Sequence, residues 1–248
     1  MTFALVQLDR ESQDPMVLAR ALAAIRKTPV QDQVLAAKSA WGVIADDLSE
    51  NEAKELQRGL WSQGVKSVVG PAAALSRLAP FEAVETLDAL PTPPPILIAV
   101  AGTTLTTTIT ATRDTGPSGV QQVASAAIMM TTGLPIKLGP RKRPGKETQE
   151  EQSLAFHADL HYGGPSRRIR VDASHFDFSC LGARMLYHAQ GNLRLLIGDV
   201  ARAAPEAWLN HGARVLLEGR PIRTMGYRSL EDLEREARWL LTLRRLAP

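Results

Sequence analysis

The 248-residue chain carries a single cysteine, Cys180, so no disulfide can form within it and a reducing compartment is expected. It has no apolar run approaching the roughly 18–20 residues needed to span a bilayer. Its first residues, MTFALVQLDRESQD, lack the basic start and the long apolar stretch of a secretory signal. Together these absences lead to the expectation of a cytoplasmic protein without a transmembrane segment. Catalytic signatures are scarce as well. There is no G-x-S-x-G elbow. Gly139 to Glu147 resembles a P-loop only in outline: five residues separate its glycines instead of four, and Glu147 stands where a Ser or Thr would hold magnesium. No cofactor is implied by any motif.

What is present is globular composition, 44% hydrophobic and 22% charged, over a length that suits one large domain or two ordinary ones. The clearest stretch runs from Thr28 to Val69. Val43 to Ala45 reads as a short strand ending at Asp46-Asp47. Ser49 and Glu52 then form a capping box, in which each side chain can satisfy the other residue's backbone amide. Ala53, Leu56 and Leu60 recur at helical spacing, Gly64 is placed to stop the helix, and Val65 to Val69 reads as the next strand. Upstream, Phe3 to Leu8 alternates as a strand, Asp14-Pro15 opens a helix, and Thr28-Pro29 separates it from a second. The expected order over residues 3–69 is β-α-α-β-α-β, with a short helical turn somewhere in Pro71 to Leu78.

This order, the phrase GVIADDLSENEAKELQRGLWSQGVKSVV and the preceding helix with Ala36-Ala37-Lys38 resemble the C-terminal domain of ribosomal protein L7/L12. The adaptor ClpS has a similar fold. The resemblance covers roughly residues 1–70, and it implies the fold and the binding of another protein, with no individual functional residue carried over.

Five prolines between Pro80 and Pro95 place a domain boundary near residue 80, giving a first lobe over 1–80 and a second over 81–248. The second lobe reads as β-rich: Phe81 to Leu87 as an edge strand, then Ile96 to Val100, Thr103 to Thr112, Val123 to Thr131, Leu154 to Tyr162, Arg168 to Val171 and His175 to Phe178, with Lys137 to Gln152 a loop. Helices follow around Leu193 to Val200, over Glu206 to Leu217, and after Ser229. The expected class is α+β, with an antiparallel sheet or small barrel closed by C-terminal helices. This second lobe resembles a pleckstrin-homology or GRAM-type domain in topology alone.

Several side chains could carry chemistry. His157 and His161 share one strand face, so a metal is conceivable with Asp159, His175, Cys180 or His188, but half-exposed residues on a polar face are the plainer reading and no metal site is assigned. Cys180 could be a nucleophile beside His175 or His188, against a small buried apolar residue. The four tryptophans read first as packing residues, Trp61 or Trp239 being placed to plug the junction between the lobes. Charge says more. Residues 1–80 hold nine basic and nine acidic residues, so the net +3 belongs to 81–248. Lys137 to Arg170 holds eight basic residues against four acidic ones. The expected function is a non-enzymatic adaptor or scaffold. It binds a protein partner through Lys54, Arg58 and Trp61 on the helix Ser49–Gln63 and through the basic patch Arg141, Lys142, Arg143 and Lys146. The alternative is a nucleic-acid or ribosome-associated protein using the basic segment 137–170.

Overall fold

Residues 4 to 7 are buried on both sides of the strand they form, and the rest of the architecture follows from that. A computed structural model describes residues 1–10, 14–87, 92–111, 147–163 and 167–246, with the backbone alone over 104–111 and 147–153. Met1–Thr104 and Leu154–Pro248 form one compact unit, and Leu105–Ser153 forms a second.

The N-terminal elements are β1 (Phe3–Gln7), α1 (Pro15–Arg26), α2 (Val30–Ala40), β2 (Val43–Leu48), α3 (Glu50–Ser62) and β3 (Ser67–Pro71), the order expected. They build a sheet β2-β1-β3, with β1 antiparallel to both neighbours. The strands joined by α3 are therefore parallel to each other with β1 between them. Local chemistry sets the helix ends. Asp14 accepts a 2.8 Å bond from the Met16 amide and Pro15 occupies the first turn of α1. Both bonds of the Ser49–Glu52 capping box form, at 3.3 and 2.9 Å, and the Ser49 hydroxyl and backbone amide beside the Glu52 carboxyl hold it below its usual range. Gly64 follows α3 at φ +81°, a conformation that favours glycine. The turn expected after β3 is a 3-10 turn over Ala72–Ala74.

The second sheet has the order β4-β7-β6-β5-β8, from β4 (Phe81–Val84), β5 (Leu97–Ala111), β6 (Glu147–Tyr162), β7 (Arg167–Asp172) and β8 (Trp208–Leu209). The class is α+β as expected, but the sheet is mixed: β4–β7 and β5–β8 are parallel, β6–β7 antiparallel. It is open among the described residues, with β4 at one edge and β8 at the other. The two strands expected at Ile96 to Val100 and Thr103 to Thr112 are one strand through Gly102, where Ile222 and Phe156 pack too closely for a side chain. β6 begins at Glu147, so Glu147 to Gln152, expected as loop, is strand. The strand expected at Val123 to Thr131 lies outside the described residues. His175 to Phe178 is not a strand. Asp172 accepts from the Ser174 amide at 3.0 Å and Asp177 from the Ser179 amide at 2.9 Å, so local side-chain bonds turn the chain into a 3-10 segment (Phe178–Arg184).

Three helices complete the fold: α4 (Ala189–Ala203), α5 (His211–Glu218) and α6 (Leu230–Leu246). The helix expected from Glu206 starts later because Asn210 caps it. The Asn210 carboxamide accepts from the Ala213 and Val100 amides at 2.8 and 2.9 Å, and this fixes Trp208 and Leu209 as a strand beside Leu97 and Ile98. No helix among the described residues is long and apolar enough to cross a membrane.

Two apolar cores result. Leu5 joins α1, α2 and α3 in the smaller one, while Ala4 and Val6 join β5, β6, β7, α4, α5 and α6 in the larger one. Successive β1 side chains thus serve opposite cores, as period two requires. Of the two tryptophans placed near the junction, Trp239 fills it. The ring is fully buried, its Nε1–H donates to the Gln7 carbonyl at 2.9 Å, and it lies against Gly42, where a Cβ would fall 1.9 Å from a ring carbon. Trp239→Ala is expected to lower stability by about 3–5 kcal/mol, the usual range for deleting a buried large aromatic. Urea unfolding followed by fluorescence and by circular dichroism checks this. Because β1 belongs to both cores, one coincident transition is expected, and two separated transitions would contradict the coupling.

Candidate functional site

The outer face of α3 is built by helical spacing. Lys54, Arg58 and Trp61 stand at i, i+4 and i+7, opposite the buried Ala53, Leu56 and Leu60, so they form one stripe toward solvent. Lys54 is ion-paired with Glu50 at 2.5 Å, and Arg58 Nε donates to the Lys54 carbonyl at 3.4 Å. Trp61 is 55% exposed. Its Nε1–H is nonetheless occupied, donating to the Ser67 carbonyl at 2.8 Å, and Gln57 donates to the same oxygen at 2.8 Å. The exposed part of Trp61 is therefore apolar ring, held in place from β3. Arg141, Lys142, Arg143 and Lys146 lie outside the described residues.

On the face of β6 expected to be half-exposed, His157 is half-buried as expected, but its neighbours on that face are enclosed. His161 is 3% exposed and Asp159 fully enclosed. The reason is a four-residue charge cluster. Asp159 accepts from Arg168 at 2.6 and 3.0 Å and from Arg170 at 2.7 and 2.9 Å, and both guanidinium groups also reach Glu234 on α6, at 2.7 and 3.1 Å. Two positive and two negative groups cancel, and Phe81 lies 4.2 Å from the Arg170 guanidinium. Burial alone would raise the Asp159 carboxyl, but the bonds from Arg170 and the charge of Arg168 hold it below its usual value. Arg168 and Arg170 are thereby absorbed into the fold, and Arg167 pairs with Glu82 at 2.9 Å.

His157 and His161 are not joined by further metal ligands: no group of three His, Cys, Asp or Glu suited to a metal occurs among the described residues. Burial, chiefly, pushes the His161 imidazole down to about 4. Cys180 is exposed, not buried as the apolar reading had it, and desolvation raises its thiol, which does not favour a thiolate.

A cavity of about 520 Å³ opens where the segment after β3, the end of β6 and the last turn of α6 meet. His161 and Tyr162 contribute to its wall, and the His161 Nε2 and Tyr162 hydroxyl are buried without a hydrogen-bond partner among the described residues. Burial lifts the Tyr162 phenol to about 12. Arg77, Arg167, Arg244 and Arg245 also line it. Sequence reasoning did not find this convergence, since residues 77, 167 and 245 share no local pattern and meet only through the fold.

No protein-family model, curated protein or solved structure matches the chain.

Two outcomes test the buried polar face. Asp159→Asn leaves two enclosed guanidinium groups facing Glu234 alone and is expected to cost about 3–5 kcal/mol in urea unfolding. The second concerns pH. The His161 pKa is about 4 in the fold and 6.5 without it, so stability is complete above 6.5 and is lost as pH falls, because only the unfolded chain takes up the proton. Between pH 7 and pH 5 this amounts to about 2 kcal/mol. His161→Gln should shrink that loss, leaving the smaller contribution of His157, whose imidazole burial also lowers. An unchanged pH slope in His161→Gln would contradict the assignment.

Proposed function

We propose that the chain is a non-enzymatic binding protein of the adaptor type, capturing a protein partner on the outer face of α3. The observation that carries this reading is Trp61, a large ring 55% exposed whose only polar atom is already bonded to Ser67. An aromatic side chain fixed before binding loses little conformational freedom on contact, which is what an interface anchor needs. Lys54, paired with Glu50, and Arg58, which has no ion pair among the described residues, flank it on the same stripe, so the complementary surface carries a carboxylate for Arg58 beside an apolar group. The resemblance of residues 1–70 to protein-binding domains of the L7/L12 and ClpS type points the same way. A nucleic-acid partner is less well served. Among the described residues of 137–170, the basic Arg168 and Arg170 are buried and ion-paired and Arg167 is held by Glu82.

The test uses the full chain. Tagged wild-type protein, Trp61→Ala and the charge reversal Lys54→Glu with Arg58→Glu are compared for partner capture after nuclease treatment. All three positions are exposed, so unfolding midpoints are expected to stay within a few degrees. A nuclease-resistant protein partner reduced at least tenfold in both variants is expected, as for loss of an interface hot spot. Capture that is unchanged in both variants, or that disappears with nuclease, would overturn the reading.

A further inference from the structure

The cavity at the end of β6 has a wall of one charge sign. Four of its lining residues are arginines and none is acidic. Cations in the last turn of a helix are common because they oppose the helix dipole, and that alone accounts for Arg244 and Arg245 at the end of α6. It does not account for Arg77, which comes from a different part of the chain. The backbone puts it there: Leu75 is buried, and the Ser76 amide donates to the Thr242 hydroxyl of α6 at 2.9 Å, tying the segment that carries Arg77 to the turn before Arg244 and Arg245.

The charges are not compensated equally. Arg167 pairs with Glu82 outside the cavity wall. Arg244 is held by neutral partners, donating to the Ile96 and Glu206 carbonyls at 3.0 and 2.9 Å, so its charge stands while its position is fixed. Arg77 and Arg245 have no ion pair among the described residues. Three uncompensated guanidinium groups around one cavity favour a doubly charged oxyanion over a single carboxylate, since three cations call for more negative charge and more acceptor oxygens than one carboxylate holds. The rest of the wall fits an organic body. Leu75, Ile96 and Leu241 are apolar, and the volume of about 520 Å³ far exceeds that of a bare phosphate. Tyr162 and His161, each with a buried polar atom lacking a partner, lie at the same place, and such atoms mark a surface whose hydrogen bonding is incomplete.

We infer that this cavity is a binding site for a small organic phosphate monoester. Its phosphate is held by Arg77, Arg244 and Arg245, and its apolar part lies against Leu75, Ile96 and Leu241. The site is independent of the α3 face, whose stripe does not line it.

Titration calorimetry on the full-length protein tests this with three probes: phenyl phosphate, benzoate and inorganic phosphate. Phenyl phosphate is expected to bind one per chain and more tightly than either other probe. Arg77 and Arg245 are exposed, so Arg77→Ala with Arg245→Ala should keep the unfolding midpoint while weakening phenyl phosphate at least tenfold, the scale of losing charge-assisted bonds. Arg20→Ala, on α1, should leave the affinity unchanged. No saturable binding of phenyl phosphate up to about 10 mM, where even a weak site would register, overturns the inference. So does equal affinity in the double variant. Inorganic phosphate binding as tightly as phenyl phosphate would overturn the organic ligand, and tighter binding of benzoate would overturn the phosphate.

Discussion

The interior position of β1 is the constraint on which the rest of the structure depends. A strand of five residues cannot stand alone, and this one is paired on both edges and covered on both faces. Leu5 looks into the helices of the N-terminal elements, and Ala4 and Val6 into the larger core. Trp239 secures the arrangement from the far end of the chain by taking the Gln7 carbonyl and lying on Gly42. Gly42 at φ +83° both turns the chain into β2 and leaves room for the ring. The proline-rich stretch near residue 80 therefore joins elements that share a core.

The second dependence is electrostatic. Placing α6 over β6 and β7 encloses Asp159, Arg168 and Arg170, and an enclosed charge is tolerable only when paired and hydrogen-bonded. Glu234 completes the set from α6, so the charges come out even. A similar solution appears at Asn210, Tyr227 and Glu236, where burial raises the Glu236 carboxyl and the Tyr227 hydroxyl donates to it. Asn210 also bonds the Val100 backbone, so this cluster fixes α5 on β5. Positive charge that reads along the chain as a basic segment is thus partly structural. Arg77, Arg244 and Arg245, by contrast, stand around the cavity at the end of α6.

Local signals were legible wherever a few neighbouring residues decide the outcome. Asp14-Pro15, the Ser49–Glu52 box and Gly64 mark helix ends in the sequence because the bonds concerned span two to four residues. The α3 stripe was legible too, since helical spacing alone puts Lys54, Arg58 and Trp61 together. Readings failed where two physical rules competed. Asp172 and Asp177 bond their own backbone, which overrode the alternation suggesting a strand from His175 to Phe178. Glu147 to Gln152 carries no apolar pattern, yet it forms the first part of β6.

The sequence by itself determined the α+β class, the order of the first six elements and the chemistry of their ends, all of which rest on contacts within one or two turns of chain. Only the tertiary structure decided which faces are buried, that β1 serves two cores, that Asp159 meets two arginines and Glu234, and that Arg77 stands beside Arg244 and Arg245. The physical reason is range. A hydrogen bond or an apolar stripe within an element leaves its period in the sequence, but a contact between residues 7 and 239 or 77 and 245 depends on how whole elements pack, and packing leaves no period to read.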